Sequence, residues 1–162
     1  MGLEYLHAYW RMPYIQAPKP EAGGENPFAD LAKRDEREAH IIWRGPTNCL
    51  VLNRYPYNVG HVMAIPYREV PNLSDLTPAE RADLMDSIIK AQDILTRAIK
   101  PDGFNIGFNF GRVAGAGIPR HLHAHIVPRW SGDVNFMPVL NDTKVLPIAL
   151  DTLWEKLRAH AS

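Results

Sequence analysis

The chain has 162 residues, of which 46% are hydrophobic and 22% charged, the proportions of an ordinary globular protein with material for one core. Eighteen Lys plus Arg balance eighteen Asp plus Glu, which argues against gripping nucleic acid through bulk positive charge. A single cysteine, Cys49, excludes an internal disulfide and a multi-cysteine zinc cluster. No stretch reaches the roughly 18 apolar residues of a membrane span, and the first residues lack the basic-then-apolar order of a signal peptide. These features predict a soluble, cytoplasmic protein with one domain over residues 1–162 and neither membrane nor nucleic acid as partner.

In chain order, Trp10, Met12, Tyr14 and Ile15 are too apolar for a free tail, so residues 1–30 are expected to dock on the domain. Pro18, Pro20, Gly23, Gly24 and Pro27 mark an irregular connection. Residues 28–38, charged after Leu31, suit a short exposed helix. Residues 41–44 and 49–53 flank Gly45-Pro46-Thr47-Asn48 and predict a hairpin. A third strand is expected at residues 61–65, after a loop holding Pro56 and Gly60. Thr77 as N-cap, Pro78 at the first helical position and Glu80 in a capping box open a helix. Leu84, Ile88, Ala91 and Leu95 give that helix one apolar face, and Pro101-Asp102-Gly103 stops it. Phe104, Ile106, Phe108 and Phe110 alternate with Asn105, Gly107, Asn109 and Gly111, a strand pattern whose apolar set is expected in the core. A last helix is expected from about residue 147, with Leu150, Leu153, Trp154 and Leu157 inward. Strands followed by helices, without regular βα alternation, predict an α+β fold.

The chemistry lies in His121-Leu122-His123-Ala124-His125-Ile126-Val127. Histidines at spacing two on a strand project one way, while Leu122, Ala124 and Ile126 project into the core. Just upstream, Gly111 to Pro119 is glycine-rich, and N–H groups near Gly115, Ala116, Gly117 and Ile118 can cradle phosphate oxygens. A neutral imidazole is a competent nucleophile near neutral pH because its ordinary pKa is about 6.5. Leu50, Leu52 and the aromatic N-terminus are candidate apolar walls for a purine. Cys49 reads as a small core residue, and His7, His40 and His160 as surface or end residues.

The run HLHAHIV resembles the signature of the histidine-triad (HIT) family. Leu52-Asn53-Arg54-Tyr55-Pro56-Tyr57-Asn58-Val59-Gly60-His61 resembles that family's upstream segment, and Asn109-x-Gly111 with Ala114-Gly115-Ala116-Gly117 resembles its phosphate loop. Tyr9 to Ile15 and Pro128 to Phe136 resemble the branch of fragile-histidine-triad hydrolases and bacterial diadenosine-tetraphosphate phosphorylases. The resemblance implies a HIT-like fold with an antiparallel sheet of about five strands and flanking helices. It implies a homodimer with joined sheets, whose C-terminal segments border the partner's site. It further implies cleavage of dinucleoside polyphosphates through a nucleotidyl group carried on His123. The backbone carbonyl of His121 would fix the His123 tautomer, His125 would assist the phosphate or leaving group, and His61 would complete the site and support His121. Asn53 would meet the ribose, Asn109 the nucleotide, and the amides around Ala116, Gly117 and Ile118 the transition-state charge. Water as acceptor makes a hydrolase, and inorganic phosphate makes a phosphorylase, with Arg112, Arg120 or Arg129 as candidate sources of charge. No cofactor is required for this chemistry, though the substrate can arrive as a magnesium complex. Two alternatives use the same residues: a non-catalytic nucleotide-binding module, and a zinc site on the histidines.

Overall fold

A computed structural model describes residues 26–133 and 148–161. The expectations for residues 1–25 and for a helix start near 147 lie outside the described residues. Five strands, β1 (Ile41–Arg44), β2 (Asn48–Leu52), β3 (Val62–Pro66), β4 (Gly103–Phe108) and β5 (Ala124–Arg129), form one sheet in the order β1-β2-β3-β5-β4. Every neighbouring pair is antiparallel. Among the described residues there are two α-helices, α1 (Pro78–Ile99) and α2 (Leu150–Arg158).

Strand alternation divides the core by sheet face. Leu50, Leu52, Val62, Ala64, Ala124 and Ile126 pack with Leu84, Ile88, Ala91 and Leu95 of α1 and with Leu153, Trp154 and Leu157 of α2. Cys49, Val51, Met63 and Ile65 face the other way and pack with Leu31, Ala39 and Ile41. Register places His125 opposite Met63 on one side and Gly107 on the other, so His125 lies on the face away from both helices. Cys49 is a core residue there, and burial pushes its thiol up to about 12.

The start of α1 follows its sequence signals. Thr77 Oγ1 accepts from the Glu80 amide at 3.2 Å, and Glu80 returns a carboxylate to the Thr77 amide at 2.7 Å. Lys100 in the left-handed region closes the helix before Pro101. Gly60 also requires its left-handed backbone (φ +74°), and a Cβ there would lie 2.6 Å from Ile99 Cδ1. That glycine lets the chain enter β3 tightly against α1 and β5.

Four expectations change. Residues 28–38 form successive turns rather than a regular helix, because the Asp35 carboxylate caps the Arg37 and Glu38 amides and breaks the run. Ile106 and Phe110 are 41% and 43% exposed and not core: β4 is an edge strand whose Phe104 and Phe108 pack against the helix-side core, and Phe110 lies beyond its end. Leu50 and Leu52 lie fully buried beneath the helices, on the face away from the histidines, and form no purine wall. His40 is buried rather than a surface residue, with its ring 3.1 Å from Asp151 of α2.

Candidate active site

The edge of the histidine run differs from a simple strand: β5 begins at Ala124, His121 lies at a bend, and residues 121–123 are outside the ladder. Leu122 donates instead to the Val70 carbonyl at 2.7 Å, and His121 N–H to the Ile118 carbonyl at 3.2 Å. The peptide joining His121 and Leu122 is thereby clamped. His121, His123 and His125 are all buried, as is His61, which directly precedes β3.

Partners that can only donate or only accept fix where each ring proton sits. His123 Nδ1 lies 2.8 Å from the His121 carbonyl, which only accepts, so Nδ1 carries the proton and the Nε2 lone pair is available. The Tyr57 amide, which only donates, reaches His61 Nδ1 at 3.0 Å, and Asn53 Nδ2 lies 3.2 Å from the same atom. The His61 proton is therefore on Nε2, 2.9 Å from His125 Nδ1. His125 accepts there and keeps its own proton on Nε2. A relay from a backbone amide through two imidazoles thus ends in an N–H on His125, whose ring meets that of His123 edge to face at 4.9 Å between centroids. His61 serves His125 and not His121, a correction that follows from its register beside β5.

Burial favours the neutral ring at every position of the run. It pushes His121 and His123 below the ordinary histidine value, against the opposing effect of their backbone hydrogen bonds. Burial and the neighbouring His123 bring His125 down to about 4. His123 and His125 are thus both neutral at neutral pH.

Asn53 is buried, its Oδ1 accepting from the Tyr55 amide at 2.9 Å while Nδ2 faces His61. Asn109 Nδ2 lies 3.4 Å from both His125 Nε2 and the Tyr57 hydroxyl. Asn109 is thus placed beside the outer nitrogen of His125 and the Tyr57 hydroxyl. In the glycine loop, a 3-10 turn over Arg112–Ala114 ends on Gly115 in the left-handed region. The Ala116 amide is spent on the Gly111 carbonyl at 3.2 Å, and the Gly115 amide on Arg112 at 3.0 Å. That removes both from the expected anion cradle. Among the described residues the Gly117 and Ile118 amides have no protein acceptor, and they remain as the donors of this loop.

Four residues of the site were not singled out from the sequence. Tyr57 lies tilted over His61 and His125 at 4.6 and 5.4 Å between centroids. Phe28 sets its ring against His123 at 5.1 Å. Asn26 Nδ2 reaches His121 Nδ1 at 2.9 Å and Glu69 at 2.6 Å. Asn26 stands 95 positions before His121 and carries no motif, so only the fold reveals it. Among the described residues, no group of three or more His, Cys, Asp or Glu side chains is arranged to hold a metal ion.

A two-faced antiparallel sheet with three imidazoles beside a glycine loop defines a histidine-triad site. The HIT domain family matches residues 34–132. The chain is 40% identical over 151 residues to an AP-4-A phosphorylase of Mycobacterium tuberculosis, covering 90% of this chain and 77% of that one. It is 39% identical over 120 residues to the nitrilase and fragile histidine triad fusion protein NitFhit of Caenorhabditis elegans, covering 74% of this chain and 26% of the relative. The crystal structure of that NitFhit protein superposes with a TM-score of 0.60 at 31% identity, over 76% of this chain and 27% of the other. A hypothetical histidine triad nucleotide-binding protein from Sulfolobus tokodaii shares the fold, with a TM-score of 0.62 at 24% identity over 75% of this chain and 83% of its own. The chain belongs to the HIT family.

Proposed function

We propose that the protein cleaves dinucleoside polyphosphates of the diadenosine tetraphosphate type at an α-phosphate, through a nucleotidyl group carried on His123, and passes that group to inorganic phosphate. The observation that carries the chemistry is the proton arrangement: a His123 Nε2 lone pair and a His125 Nε2–H on neighbouring rings. In the first displacement, Nε2 attacks the α-phosphorus and the bond to the leaving nucleoside polyphosphate breaks, that oxygen taking the His125 proton. In the second, a phosphate oxygen attacks the same phosphorus, the P–N bond breaks, and His125 recovers a proton from the acceptor. With diadenosine tetraphosphate the products are ATP and ADP. The Gly117 and Ile118 amides are assigned to the phosphoryl oxygens, and Asn53 and Asn109 to the nucleotide side of the site.

The choice of phosphate over water rests on the 40% identity to the AP-4-A phosphorylase across most of both chains. The hydrolytic reading is favoured by a shorter match, 38% identical over 95 residues, to an asymmetrical bis(5'-nucleosyl)-tetraphosphatase of Schizosaccharomyces pombe. In this reading the protein's own residues perform both displacements, and magnesium arrives only with the substrate. We assign the working form to a homodimer in the cytoplasm. Support for the dimer comes from the unpaired edge of β4 and its exposed Ile106. No helix among the described residues is long and apolar enough to cross a membrane.

Product analysis with diadenosine tetraphosphate, with and without inorganic phosphate, tests the assignment. ADP plus ATP appearing only when phosphate is present is the expected outcome. AMP plus ATP at an equal rate without phosphate replaces it with the hydrolytic reading.

A further inference from the structure

The Asn26 side chain is 95 positions from the histidine run in sequence, buried, and fully committed. Its Oδ1 accepts from the Phe28 amide at 3.0 Å, and its Nδ2 faces a Glu69 carboxylate oxygen at 2.6 Å. An amide donor at one end and a carboxylate at the other leave the group only one orientation. The second Nδ2 hydrogen then points at His121 Nδ1, 2.9 Å away. The opposite ring nitrogen, Nε2, lies 2.8 Å from the Pro66 carbonyl, which only accepts. His121 is therefore held at both ends, as an Nε2–H donor and an Nδ1 acceptor. Protonating Nδ1 would set N–H against N–H, and Asn26 cannot flip to relieve this without turning Oδ1 toward Glu69 and NH2 toward the Phe28 amide.

We propose that Asn26, oriented by Glu69, is a positioning residue that locks His121 as the neutral Nε2–H tautomer and so holds the His121 carbonyl on Nδ1 of the nucleophile. The inference rests on His123 being the nucleophile. The charged and titratable groups facing the His121 ring are Glu69, Arg120 and His123. Arg120 pairs with Glu69 at 3.3 Å, which holds that carboxylate in place and offsets its pull on an imidazolium. Burial of the ring acts in the same direction as the lock. A charged His121 would withdraw electron density from the nucleophile two residues away, and a loosened ring would let its carbonyl drift from His123 Nδ1.

The test is 15N NMR of the histidine rings in the full chain, with steady-state kinetics on the same samples. In the wild type, His121 should show a protonated Nε2 and an unprotonated Nδ1 at neutral pH and should titrate below the ordinary histidine value, because burial disfavours the charged ring. Asn26→Asp replaces the donor by a carboxylate, and the His121 ring should then titrate at higher pH than in the wild type. Asn26→Ala should lower kcat about tenfold, the worth of one orienting hydrogen bond, with KM within about twofold. An unchanged His121 tautomer and titration in Asn26→Asp would overturn the lock. An unlocked ring with unchanged kcat in Asn26→Ala would overturn its positioning role. Failure of the underlying mechanism looks different: His123→Ala would turn over near the wild-type rate while the wild-type His121 signals stay as expected.

Discussion

At the scale of single residues, burial holds the histidine site uncharged. His123 and His125 are next to each other on a buried surface, and each is neutral because a second proton would have to enter a low-dielectric site beside other rings. This has a pH signature with a definite sign. The ordinary histidine value is about 6.5, and both shifts are downward, so the neutral, reactive forms persist as pH falls below it. The acid limb of kcat should lie below about pH 6.5, and a limb at or above that value would contradict the assignment of these two groups. Stability follows the same sign. An unfolded chain takes up a proton at His125 from about pH 6.5 downward, whereas the native ring stays neutral to about 4. Native stability is therefore lost as pH falls through that window and is level above it.

At the scale of elements, the sheet separates support from chemistry by strand alternation. Leu50, Leu52, Val62, Ala64, Ala124 and Ile126 anchor the helices, and the residues between them point to the opposite face, where Val51 and Met63 pack a second core and His125 joins the histidine site. A slip of one residue in β5 would exchange His125 for Ile126, so packing under α1 enforces the register that the chemistry needs. The sheet is open, with β1 and β4 at its edges. Among the described residues β4 pairs only with β5, and Ile106, opposite Ile126 on the helix side, is 41% exposed. Charging that position should weaken a dimer built on this edge: Ile106→Arg should raise the dissociation constant by about tenfold or more. Light scattering after size exclusion reads the change, with circular dichroism reporting an intact fold. A monomeric wild type, or a variant as dimeric as the wild type, would remove this edge from the assembly.

At the scale of the whole molecule, sequence legibility followed the range of the interaction concerned. Local signals carried well: Thr77, Pro78 and Glu80 opened α1 where capping chemistry requires, and alternation found β4. The histidine run and the glycine loop were legible because spacing two and glycine each have a direct geometric meaning. Long-range consequences were not legible. Alternation along β4 says nothing about whether a neighbour covers it, so Ile106 and Phe110 read as core. Leu50 and Leu52 looked available to a purine until the sheet assigned them to the helix side. His61 reached His125 instead of His121 because pairing of β3 with β5 decides which ring it meets. Asn26 and Glu69 were invisible, since neither carries a motif and both act at a distance along the chain.

The covalent step is the center of the account, and it can be read directly. Enzyme mixed with diadenosine tetraphosphate in the absence of inorganic phosphate, quenched at alkaline pH where phosphoramidates survive, should gain the mass of one adenylyl group. Peptide mapping should place it on His123, and adding phosphate before the quench should remove it as ADP. Full turnover with no adduct at any time, or an adduct on a residue other than His123, would contradict the mechanism.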